Sequence, residues 1–180
     1  MPRYDFLPLM LVNMSAALWM AAWYWWKGIE RDARYFAAGF AATGLVALSG
    51  GLYLIFTWPL PGSYNVMYGE PSVMLGAILL AAALALARDW SLWSVGLLAM
   101  LAGVTAVLIG ARILNLGLTQ SAPLSAAGFC LTGLAGILTL PVAQWRNSKG
   151  LRIPAALAAF LAGALWLFTA CMAYWAHIQK

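Results

Sequence analysis

Six long apolar runs, separated by short breaks that carry almost all of the charge, constrain this chain more than any other feature. The runs cover about Leu7 to Trp26, Tyr35 to Trp58, Pro71 to Ala87, Leu92 to Leu114, Ala122 to Trp145 and Ile153 to Ala176. A helix that crosses the hydrocarbon layer needs about 20 mostly apolar residues, and each run meets that length or comes within a turn of it. The third is the shortest and could extend into Arg88-Asp89-Trp90. Of the 180 residues, 64% are hydrophobic and 8% are charged, whereas a water-soluble domain carries about 25% charge. The spacing therefore predicts an all-α bundle of six transmembrane helices, one integral membrane domain over residues 1–180, with the bilayer as its surroundings.

The net charge of +5 is not a nucleic-acid signal. The Lys and Arg residues stand singly or in small groups at the ends of apolar runs, while a nucleic-acid surface gathers them on one face. Their distribution gives an orientation. Lys27, Arg31, Arg34, Arg88, Arg146, Lys149 and Arg152 fall in the first, third and fifth loops; Arg3, Arg112 and Lys180 fall on the other side. The first group is expected to be cytoplasmic, with both termini outside, in a plasma membrane of prokaryotic type. Eight of the ten Trp lie near predicted helix ends, where an amphipathic ring anchors at headgroup level; Trp19 and Trp166 lie deeper. Electron transfer or aromatic stacking on a ligand is the alternative use of so many rings. No cleavable signal peptide is expected, because the first run ends in Trp23-Tyr24-Trp25-Trp26-Lys27 instead of small residues.

The one long stretch expected to be non-helical is Phe56 to Pro71. It contains Trp58, Tyr64, Asn65, Tyr68 and Glu70, the acidic residue with no basic neighbour in sequence. Pro8, Pro71, Pro123 and Pro154 are placed in first turns, where a missing N–H costs little, and Pro141 inside the fifth helix. Polar groups at membrane depth are costly and usually paired or functional. Arg112, followed by Asn115, Thr119 and Gln120, is the most conspicuous. An ion pair between Glu70 and Arg112 would close the outer loop over the bundle, pinning it or forming part of an outward binding site with Trp58, Tyr64, Asn65, Tyr68 and Asn115. Asn13 and Ser15 are candidates for hydrogen bonds between helices.

An internal match adds a further expectation. Ala37 to Leu45 (AAGFAATGL) and Ala126 to Leu134 (AAGFCLTGL) agree at seven of nine positions, at an offset of 89. The chain could be two inverted three-helix halves, 1–90 and 91–180, as in many secondary transporters; the alternative is two helices that independently use small residues to pack closely.

Catalytic groups are scarce. The single histidine, His177, rules out paired His ligands for a haem and a multi-His metal centre within one chain. Cys130 and Cys171 sit in apolar runs and read as unreactive buried thiols. No phosphate-binding fingerprint is present, and no cofactor is implied. The block Trp58-Pro59-Leu60-Pro61-Gly62-Ser63-Tyr64-Asn65, with Tyr68-Gly69-Glu70, and the block Arg112-Ile113-Leu114-Asn115-Leu116-Gly117-Leu118-Thr119-Gln120 resemble the domain-of-unknown-function 981 family of small multi-span membrane proteins, from helix one through helix five. That resemblance implies no activity. Three functional classes follow: a non-catalytic subunit or assembly partner of a larger membrane complex or homo-oligomer, a small-solute or ion transporter with an outward site near Glu70 and Arg112, and an enzyme linked to a lipid or quinone. The first is preferred, and a self-contained enzyme is disfavoured.

Overall fold

The computed structural model describes residues 6–27 and 33–178; Arg3, Arg31 and Lys180 lie outside them. Six helices make up the described chain: α1 (Leu7–Lys27), α2 (Tyr35–Thr57), α3 (Tyr64–Ala87), α4 (Trp93–Leu116), α5 (Ala122–Gln144) and α6 (Lys149–Ile178). Each is long and apolar enough to cross a membrane, which suggests a multi-pass membrane protein. In a hydrocarbon layer a helix satisfies its own backbone polar groups, so helix is the state such runs adopt.

The helices run up and down and pack mainly on their neighbours in chain order, with α6 closing on α1. The result is a ring. Its tightest seams are α2–α3, α4–α5 and α1–α6, and its sparsest is α3–α4. Glycines explain two of the tight seams. A Cβ on Gly76 would lie 2.5 Å from the Leu48 backbone nitrogen, and one on Gly103 would lie 2.5 Å from the Gly133 carbonyl oxygen. Backbone meets backbone there, the close approach that small residues allow in membrane helices.

The α1–α6 seam is held by side chains. Trp19 Nε1–H donates to the Phe160 carbonyl (3.1 Å) and its ring stacks on Phe160. Arg152 Nε donates to the Trp25 carbonyl (2.9 Å), and its terminal nitrogen to that of Trp26 (3.1 Å). These carbonyls belong to the last turn of α1, where orphan acceptors and the negative end of the helix dipole favour a cation. Arg152→Gln should cost about 1–2 kcal/mol and lower the melting temperature by about 2–8 °C. Arg152→Lys, which keeps the charge, should fall between the two. An unchanged melt for Arg152→Gln would mean that the α1 terminus is satisfied by water.

Three expectations are corrected. The helix α3 starts at Tyr64, so the non-helical stretch shrinks to Trp58–Ser63. Pro71 lies inside α3 and Pro154 inside α6, beyond first turns. A proline removes one N–H, and a helix packed among neighbours continues through that loss. At about 1.5 Å per residue, the 24 residues of α3 reach beyond a hydrocarbon layer of about 30 Å.

The internal match does not carry over to the packing. Gly39 faces Met20 of α1 and Gly44 faces α3, but Gly128 faces Trp166 of α6 and Gly133 faces α4. A tandem three-helix repeat would place Gly128 against α4 and Gly133 against α6. The two segments share a packing solution on both flanks, in opposite chain order.

Candidate functional site

Two ends and one interior are available for a site. At the end bearing Asn65, the loop Trp58–Ser63 is organised from below by Asn65, which is fully buried at 0% exposure. The Leu60 N–H donates to Asn65 Oδ1 (2.9 Å), while Asn65 Nδ2 donates to the carbonyls of Leu60 (2.6 Å) and Gly62 (3.3 Å). Gly62 has φ +55°, a left-handed turn that favours glycine. Trp58 caps α2 in the left-handed region and its ring is exposed. The Tyr64 hydroxyl donates to the Leu118 carbonyl (2.8 Å), tying this loop to the α4–α5 turn. Tyr68 stacks on Tyr64 and packs on Phe129, and the Thr119 hydroxyl donates to that of Ser125. Trp58, Tyr64, Asn65 and Tyr68 thus belong to one structural knot. Asn65 spends its polar atoms on backbone.

Glu70 and Arg112 do not form the expected ion pair. The ion pair among the described residues is Arg34–Asp89, which joins the α1–α2 and α3–α4 breaks; there the Arg34 guanidinium holds the Asp89 carboxyl below the usual carboxylate range. The reason is helical phase. Glu70 shares the outward face of α3 with Val66 and Met74, and Arg112 shares that of α4 with Leu108 and Asn115, at i, i+4 and i, i+3 spacing. All are exposed, so these side chains lie on the outside of the ring and away from each other's helix. Asn13 behaves as expected, donating to the Thr43 carbonyl of α2 (2.9 Å); Ser15 turns back on Leu11 of its own helix. Both cysteines are free.

Inside the ring lies a cavity of about 180 Å³ with walls from all six helices. Its lining descends α3 from Met67 to Leu86, and α5 from Phe129 to Ala143. At about 1.5 Å per residue those spans correspond to roughly 20–30 Å, most of the thickness of a bilayer's hydrocarbon core. Spread over that length, the volume makes the passage narrow. Small residues on α1, α4 and α5, among them Ala17, Ala99, Ala106 and Ala135, make the space. The wall is almost wholly apolar, and the two threonine hydroxyls in it are occupied. Thr132 accepts from the Trp166 indole (2.9 Å) and donates to the Gly128 carbonyl, and Thr139 donates to the Ala135 carbonyl. Trp166 is 1% exposed, so its ring is a fixed wall. The Tyr24 hydroxyl differs: among the described residues it is the buried side-chain polar atom without a hydrogen-bond partner.

Sequence reasoning pointed to the Asn65 end and missed the interior. The only available signal was the small-residue stripe on α4 and α5, which says that a helix packs closely and is silent on which stretches leave a gap. Among the described residues no group of three or more His, Cys, Asp or Glu could hold a metal ion.

The family described as protein of unknown function (DUF981) matches residues 1–180, the whole chain. No curated protein and no solved structure matches it.

Proposed function

We propose, for a chain that belongs to the DUF981 family along its entire length, that it is a multi-pass protein of the plasma membrane that binds a hydrocarbon-chain lipid inside its helix ring. The observation that carries this reading is the long, narrow, apolar cavity. An apolar cavity has no attraction for water and is filled at least cost by an apolar chain, because unfilled space forfeits dispersion contacts. Access from the bilayer is available at the α3–α4 seam, the sparsest in the ring, where the half-buried Leu75, Ile78, Ala82 and Ala102 line the cavity. The end bearing Lys27, Arg34, Arg88, Arg146, Lys149 and Arg152 is assigned to the cytoplasm by the positive-inside rule.

A non-catalytic role inside a larger complex is compatible with lipid binding, since a subunit can hold a lipid for its partners. A transporter using Glu70 and Arg112 is less favoured, because their side chains face outward on separate helices.

The test is to fill the cavity. Ala17→Leu with Ala106→Leu adds side-chain volume from two facing helices. The purified double variant should retain at least tenfold less co-extracted lipid per protein than the native chain, with its melting temperature within about 5 °C because the added atoms occupy open space. Equal lipid retention would contradict the reading.

A further inference from the structure

The cavity wall is almost wholly apolar, and the buried hydroxyl without a partner lies in it near the end of α1. Tyr24 lies near the end of α1, 5% exposed, with its ring packed edge-on to Phe36 at 5.5 Å and its hydroxyl without a partner. A buried hydroxyl without a partner carries a desolvation cost, so an occupant that accepts its hydrogen bond removes that cost. Tyr24 lines the cavity together with Val142 and Ala143 at the end of α5. Arg146 is an exposed residue of the turn that follows α5, three residues past Ala143 and so at the same end. Three of the other described cations of this end are committed, Arg34 to Asp89, Arg152 to the α1 carbonyls and Lys27 over the Trp23 ring, while Arg88, just past α3, and Lys149, the first residue of α6, stand on other elements than the α5 end that lines the cavity. Arg146 forms no ion pair among the described residues. A donor in the cavity wall and a cation in the turn beyond it are thus set at one end of a narrow apolar passage. Among the described residues no other buried side-chain polar atom lacks a partner, so nothing comparable is open at the opposite end, where the Tyr68 ring stacks on Tyr64.

We propose that the occupant is a single-chain anionic amphiphile, lying with its chain toward Tyr68 and its headgroup at Tyr24, where a headgroup oxygen accepts the Tyr24 hydroxyl hydrogen and Arg146 balances the charge. This rests on the lipid-binding reading above. A carboxylate and a phosphate monoester share that chemistry. A two-chain lipid would leave its second chain outside the narrow passage.

The experiment titrates the purified full chain in nanodiscs with palmitate, hexadecyl phosphate and hexadecanol, and counts bound molecules by native mass spectrometry. The chain is the same in all three, so the headgroup is the variable. At least one of the two anions should bind about tenfold more tightly than hexadecanol, and the tighter of them identifies the headgroup. Tyr24→Phe removes only an unpartnered hydroxyl. It should keep or slightly raise the melting temperature while weakening that anion about tenfold. Arg146→Gln should weaken the anions and leave hexadecanol unchanged. If hexadecanol binds as tightly as both anions, or if Tyr24→Phe and Arg146→Gln leave anion binding unaltered, the headgroup assignment is overturned. The variant with Ala17→Leu and Ala106→Leu separates the two claims. Loss of all three ligands there keeps the cavity reading even when the headgroup assignment falls, and retention of all three removes both.

Discussion

Gly103→Val should be the most damaging single substitution in the chain. Its Cβ would stand 2.5 Å from the Gly133 carbonyl oxygen, 2.7 Å from the Ile137 nitrogen and 3.1 Å from the Gly136 carbonyl carbon. All three atoms are backbone, so no side chain can swing aside. The helices α4 and α5 must move apart, and the contacts at Gly96, Gly110 and Gly136 loosen with them. Overpacking of a close-packed interior costs about 1–3 kcal/mol and sometimes more, and here the upper end applies because a whole helix pair moves. A melting temperature lower by about 6–12 °C is expected. Gly150→Ala is the control. Its Cβ would meet only Ser148 Oγ, at 3.9 Å, and the melt should be unchanged. Equal behaviour of the two variants would show that the α4–α5 approach is looser than described.

Asn65→Leu should cost about 3 kcal/mol although the two side chains are similar in size. The change removes the acceptor for the Leu60 N–H and the donor to the Leu60 and Gly62 carbonyls. Each lost bond is worth about 1 kcal/mol, and a buried group left unpaired costs about 1–3 kcal/mol. The damage should be local. Hydrogen exchange at the Leu60 amide should accelerate by about 100-fold or more, while amides in the middle of α5 and α6 change little. Asn65→Asp keeps the acceptor but turns a carboxylate toward two carbonyls, so it should not rescue. Exchange at Leu60 that matches the native rate would mean that the loop is held by its own prolines.

Different physical signals explain what was readable before the structure. The six helices were legible because crossing a hydrocarbon layer demands a long apolar run, and few other constraints produce one. The charge asymmetry of the loops was legible for the same reason. The start of α3 was misplaced because Pro71 looks like a first-turn proline, and only neighbouring helices show that the chain can stay helical through it. Asn65 was noticed for the right chemistry, with two roles open to it, lining a mouth or satisfying the loop's own backbone. A polar side chain in a Pro/Gly-rich segment fits a ligand site and a backbone clamp equally well, and burial decides between them. Glu70 and Arg112 share an end of the bundle, as the topology required, but their helical phase turns both outward. Trp19 and Trp166, singled out as deeper than the rest, donate their indole N–H groups across helix seams. The cavity was not legible, because it arises where Ala17, Ala99, Ala106 and Ala135 from three helices face one another, and no stretch of one helix records that. The unpartnered Tyr24 hydroxyl was hidden in an aromatic cluster that reads as an anchor.

The central claim is that a hydrocarbon chain occupies the ring. The most direct measurement is a high-resolution map of the native chain in a nanodisc of its own membrane lipids. The account predicts continuous, unbranched density from the level of Tyr68 and Phe129 down to Tyr24, in contact with Ala99, Ala106 and Ala135. An interior empty at that resolution, or a ring collapsed until α3 and α4 close on α1 and leave no space, would contradict it.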